Sequence, residues 1–83
     1  MAKTLFNVLL PATGKRYDLW VPDDMPMQQA SSLVAEALQV AEPAYYSATP
    51  DATLMHVATG EIPKAQSTVA ELGFTDGTRF VLL

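Results

Sequence analysis

The sequence predicts an α+β fold: a mixed sheet of four to five strands with one main helix packed on one face. Three observations predict it. The chain opens with two short extended segments joined by a Pro/Gly turn, continues with a single long stretch of helical period, and closes on the apolar run "RFVLL" after an Asp-Gly turn. With 83 residues, the chain has room for one domain spanning 1–83, near the lower end of what folds alone. A hydrophobic fraction of 49% against 17% charged residues fits a packed globule rather than a disordered chain.

The first segment, "KTLFNVLL" (Lys3 to Leu10), is apolar enough for a buried strand. Phe6, Val8 and Leu10 are the preferred inward set, because the alternative set Leu5, Asn7 and Leu9 would bury an amide. Pro11 and Gly14 in "PATGK" supply a turn. "RYDLWV" (Arg16 to Val21) then alternates, with Tyr17, Leu19 and Val21 on one face and Arg16, Asp18 and Trp20 on the other. The two segments form a β-hairpin.

After "VPDDMP" the period changes. Met27, Ala30, Val34, Ala37, Leu38 and Ala41 recur at helical spacing with Leu33 beside them, so an amphipathic helix of about three to four turns ends near Pro43. Pro26 suits its first turn, and Asp23 and Asp24 suit its positive end. Glu42 to Asp51, with two prolines and two tyrosines, is a loop. Beyond it lie a strand around Thr53 to Ala58, a turn at Thr59 and Gly60, and a very short strand or extended piece at Glu61 and Ile62. "STVAELGF" gives one helical turn, with Ser67 or Thr68 as cap and Gly73 as stop. Thr78 to Leu83 is the last strand. This order, with the two end strands central and side by side, is that of the β-grasp.

Composition narrows function. There are no cysteines, which excludes disulfide staples and thiolate metal sites and suits a reducing cytoplasm. Net charge is −4, and the five basic residues, Lys3, Lys15, Arg16, Lys64 and Arg79, are scattered, so nothing supplies the positive stripe a nucleic acid needs. The apolar stretch Leu5 to Leu10 is too short for a membrane span or a signal core, so neither insertion nor export is expected. His56 is the only histidine and has no ligand companions nearby, so no metal site is expected. Ser31 and Ser32 lack a nucleophile turn and are expected as hydroxyls on the helix face. Gly14, Gly60, Gly73 and Gly77 fall one per turn, never in a phosphate-cradling Gly-x-Gly, so no cofactor is expected. No catalytic set emerges.

Trp20 stands out. A large aromatic on the sheet face away from the helix, beside Arg16 and Asp18, is the composition of a protein-binding anchor, although a tryptophan lying over its strand neighbours is the simpler account. Tyr45 and Tyr46 have a similar claim, with packing of their loop as the plainer explanation. The second strand should be a sheet edge, open to strand addition by a partner or equally by a second copy in a homodimer.

The closing "TVAELGFTDGTRFVLL" resembles the end of ubiquitin-like proteins, and "YDLWVPDDMPMQQASSLVAEAL" resembles the bacterial YukD/EsaB group of small ubiquitin-like proteins. That group is associated with type VII (ESX-type) secretion, and a related domain forms the cytosolic N-terminus of the membrane component EccD. The resemblance implies a non-catalytic, cytoplasmic, protein-binding accessory whose partner is a secretion ATPase or a membrane component. Two positions depart from the wider family. Ubiquitin and the sulfur carriers end in a flexible Gly-Gly, whereas Phe80, Val81, Leu82 and Leu83 stand here, which argues against conjugation and sulfur carriage. Ala12 stands where ubiquitin has a leucine of its recognition patch. The rival readings are a carrier or conjugated modifier whose tail continues past Leu83, and a cytosolic domain cut from a longer membrane component.

Overall fold

In the computed structural model, which describes residues 2–83, the hairpin strands are β1 (Lys3–Leu10) and β2 (Lys15–Pro22). They pair antiparallel from Lys3↔Pro22 to Leu10↔Lys15. Helix α1 (Met27–Ala41) follows, then β3 (Leu54–His56), the single-turn helix α2 (Val69–Leu72) and β4 (Thr78–Leu82). The sheet is four-stranded and mixed, in the order β2-β1-β4-β3. The first and last strands lie side by side and parallel, Phe6 opposite Thr78 and Val8 opposite Phe80.

Alternation decides what β1 buries. Thr4, Phe6, Val8 and Leu10 face the helix and Leu5, Asn7 and Leu9 face out, as the cost of burying Asn7 requires. Phe6, Val8, Leu10, Val21, Leu54, Phe80 and Leu82 form one core with Met27, Ala30, Val34 and Leu38 of α1. The rings of Phe6 and Phe80 meet at 4.4 Å between centroids, and Phe74 stands edge-on to Phe80 at 5.1 Å. His56 is half-buried against both Phe74 and Phe80, with Nδ1 3.2 Å from the Thr59 hydroxyl.

Four expectations need correction. The buried stripe of α1 runs through Met27, Ala30, Ser31, Val34, Ala35 and Leu38, so Leu33 and Ala41 are exposed and Ala37 is only half-buried. Ser31 is buried rather than a surface hydroxyl. The face of α1 turned to the sheet thus mixes the small Ala30, Ser31 and Ala35 with Met27, Val34 and Leu38. Neither Asp23 nor Asp24 gives the helix start a side-chain hydrogen bond. The Met27 and Gln28 N–H groups donate instead to the carbonyls of Ser67 and Ala65, each at 2.9 Å. Asp23 accepts from the buried Thr4 hydroxyl.

The strand foreseen from Thr53 to Ala58 is only three residues long. Gly60, at φ +70°, donates to the His56 carbonyl, which turns the chain at Val57 and limits the fifth strand to a single bridge between His56 and Glu61. By contrast α2 begins and ends where the sequence sets it. Thr68 and Glu71 form a reciprocal capping box, and Gly73 closes the turn at φ +71°.

Candidate protein-binding face

α1 covers one side of the sheet, so the other side is built from the outward residues of each strand. Across the sheet, Arg16, Leu9, Val81 and Met55 form one row, and Asp18, Asn7 and Arg79 the next. Trp20 opposite Leu5 begins a third. Leu9, Val81 and Met55 are half-buried and form a short apolar row, and the polar row of Asp18, Asn7 and Arg79 separates it from half-buried Leu5 and from Trp20.

Trp20 is 56% exposed at the β2 end of this face. Arg16 and Asp18 are linked through β1: an Arg16 Nη donates to Asn7 Oδ1 at 3.0 Å, and Asn7 Nδ2 donates to Asp18 Oδ1 at 2.9 Å. The amide that could not be buried thus holds both charged side chains flat against the sheet. Leu5, Asn7 and Leu9 face out as the parity of β1 predicts from sequence. Val81 and Met55 were not singled out: strand parity would have found Val81, but Met55 needed the β3–β4 register.

The two tyrosines of the loop separate. Tyr46 is half-buried against the core, and that burial raises its phenol pKa above the ordinary 10.0. Tyr45 is 67% exposed beside a concavity lined by Ala12, Thr13, Lys15 and Glu42, at the turn end of β2. Roughly 17 Å of strand, about five residues at 3.3 Å each, separates Lys15 from Trp20. The structure therefore brings Trp20, Arg16 and Asp18 onto one face and leaves Tyr45 and Tyr46 off it.

Tyr17 anchors the other side of β2. Its hydroxyl donates to Glu42 Oε2 at 2.7 Å, just past the end of α1, and lies 3.2 Å from the Thr13 hydroxyl. The Thr13 bond lowers the Tyr17 pKa, but burial and the Glu42 carboxylate together outweigh it and push the phenol above 10.0. The Lys15 ammonium approaches the same carboxylate at 4.0 Å, but exposed to water it adds little.

A cleft of about 320 Å³ lies between the start of α1 and the segments 50–54 and 62–65. Met27, Ser31, Leu54, Ile62 and Pro63 are among its walls. Among the described residues no three His, Asp or Glu side chains gather to hold a metal ion. Among the described residues no helix is long and apolar enough to cross a membrane.

Comparison with solved structures gives the fold its name. The chain superposes on the ubiquitin-like domain of EccD1, a type VII secretion system protein of Mycobacterium tuberculosis, with a TM-score of 0.75 at 16% identity, covering 100% of this chain and 99% of that one. Against the EccD5 ubiquitin-like domain from Mycobacterium xenopi the TM-score is 0.82 at 10% identity, covering 100% and 94%. A chain of an ESX-5 inner membrane complex matches at 0.80 and 16% identity over 98% of this chain, which spans only 20% of that larger one. The fold is the ubiquitin-like β-grasp. No protein-family model matches the chain, and no curated protein matches it in sequence.

Proposed function

We propose that this chain is a bacterial, cytoplasmic, single-domain protein-binding module of a type VII secretion system, acting by recognition rather than by catalysis. The observation that carries the proposal is the end-to-end structural likeness to the EccD1 and EccD5 ubiquitin-like domains. The uncovered sheet face supports it: an exposed Trp20, a half-buried apolar row of Leu9, Val81 and Met55, and the charged Arg16, Asp18 and Arg79 on one helix-free face have the make-up of a protein-docking surface. The partner is a secretion ATPase or a membrane component, and Trp20, Arg16 and Asp18 contact it from this face. Tyr45 and Tyr46 lie off this face, and Tyr45, exposed at the turn end of β2, would serve a separate contact. A second reading, a cytosolic domain of a longer membrane component, draws on the ESX-5 chain, of which this fold is one fifth.

The test is affinity capture from bacterial extract on the immobilised 83-residue chain, with native and denaturing washes read by mass spectrometry. Secretion components that are retained natively and lost under denaturant are the expected result. Adducts that survive denaturation and map to Leu83 would favour the carrier reading and sink this one.

A further inference from the structure

The edge of β2 is open along its length, and its chemistry matches itself. In an antiparallel ladder, pairs that exchange hydrogen bonds alternate with pairs that do not. The bond from the Asp23 N–H to the Ala2 carbonyl, one step beyond Lys3↔Pro22, fixes which are which. Thr4/Val21, Phe6/Leu19, Val8/Tyr17 and Leu10/Lys15 are the bonded pairs. The N–H and C=O groups of Arg16, Asp18 and Trp20 therefore point away from β1, and no loop or turn among the described residues donates to or accepts from them. Pro22, with no N–H, ends the row.

We propose that a second copy of this chain fills that edge, β2 against β2, antiparallel about a two-fold axis beside Tyr17, joining two four-stranded sheets into one. The inference goes beyond the functional reading, which uses the uncovered sheet face, and concerns the open strand edge beside it. The sequence of outward residues selects the register. An axis beside Arg16 or Asp18 sets like charges face to face, which destabilises the pair. An axis beside Leu19 puts Arg16 opposite Pro22, and one beside Trp20 puts Asp18 there, so the proline breaks the ladder in both.

With the axis beside Tyr17, Arg16 of each copy lies directly opposite Asp18 of the other. Two such pairs exchange four backbone hydrogen bonds and set two opposite charges together. Trp20 then falls opposite the turn glycine Gly14 of the second copy, which has no side chain and open space around its Cα. Asn7 already holds Arg16 and Asp18 in place, so less side-chain freedom is lost on pairing. A two-fold pairing of this kind is closed and stops at the dimer.

Sedimentation of the purified chain over a concentration series tests the proposal. The wild-type chain is expected to dimerise. Arg16→Asp and Asp18→Arg, each checked for folding by circular dichroism, should each weaken the dimer about tenfold, because two attractive pairs become repulsive. An equimolar mixture of the two variants should restore it, since opposite signs again face each other. A chain that stays monomeric, single variants that associate as tightly as wild type, or a mixture that fails to recover would each overturn the proposal.

The absence of native cysteine gives an independent reading of the register. Tyr17→Cys should cross-link on oxidation, because a non-hydrogen-bonded pair on the axis brings the Cα atoms to about 4.5 Å, within disulfide range. Cross-linking of Leu19→Cys in its place would overturn the register. If Tyr17→Cys does not fold, the charge variants decide alone. Self-association is measured without any partner. A chain that dimerises but captures no secretion component leaves this inference standing and removes the functional reading, and a monomer that captures one does the reverse.

Discussion

On β1, Phe6, Val8 and Leu10 lie under the helix almost wholly buried, whereas their immediate neighbours Leu5, Asn7 and Leu9 are each half-exposed. The difference is not one of composition alone, since Leu5 and Leu9 are as apolar as Leu10. One face is closed by a helix and two phenylalanine rings. The other is closed only by its own side chains and by the Arg16–Asn7–Asp18 bonds. Stability therefore belongs to the inner face, and the outer face is left free to carry recognition.

The largest expected effect breaks the inner face. Phe6 has no exposed surface and its ring touches those of both Phe80 and Phe74, so Phe6→Ala should cost about 3–5 kcal/mol. For a domain this small, that is a large part of its total stability. Urea unfolding should show the midpoint fall steeply or the variant fail to fold. A loss below about 1 kcal/mol would mean that the aromatic cluster is not the centre of the core.

A smaller effect concerns the segment that joins the faces at one end of the sheet. The carbonyls of Ala65 and Ser67 cap α1, and Thr68 caps α2, so this short stretch fixes both helices. Thr68→Ala should cost about 1 kcal/mol by thermal or urea denaturation. The Thr68 backbone N–H, and then its hydroxyl, hold the Glu71 carboxyl below its ordinary value of 4.5. A carboxyl lowered in this way adds stability that is present above its unfolded value and lost as pH falls through the folded one. The wild-type chain should therefore weaken below about pH 4.5 by more than Glu71→Gln does, and equal acid profiles would remove the capping box as the cause.

How much of this was legible follows from which interactions are local. The hairpin, the burial choice on β1 and the α2 caps all depend on residues a few positions apart, whose alternation or capping chemistry is written in order. The buried stripe of α1 was misplaced because Leu33 outranks Ser31 and Ala35 in hydrophobicity, yet Ser31 and Ala35 lie on the side of the helix that faces the sheet and Leu33 does not. Asp23 was placed at a helix start by its position in the chain, but its partner is Thr4, nineteen residues away. On the outer face, Trp20, Arg16 and Asp18 were readable from β2 alone. Met55 joined them only through the β3–β4 register, which is a property of the fold rather than of any short segment.

The next effect down lies at the α1 end of β2. Because their phenol pKa values are raised, Tyr17 and Tyr46 contribute stability that is present below about pH 10 and lost as pH rises through the raised values. Ultraviolet titration of wild type against Tyr17→Phe should show the loss of one late-titrating phenol. Glu42→Gln should bring that phenol earlier by removing the carboxylate it donates to. If Glu42→Gln leaves the titration unchanged, the bond between β2 and the end of α1 is absent in solution.

The smallest expected change in stability is at Trp20. More than half of its surface faces solvent, on the side of the sheet where no helix covers it, so its truncation removes little buried area and opens no cavity. Trp20→Ala should shift the unfolding free energy by no more than about 0.5 kcal/mol, the usual range for a surface site. Its effect on capture of a partner should be the largest of any single substitution on the face, because an exposed tryptophan is the side chain a partner buries most. The two measurements together test the division between the faces. Normal stability with lost capture places recognition on the outer face; a destabilised chain would mean that Trp20 helps close the sheet, and that the outer face is a second core layer rather than a docking surface.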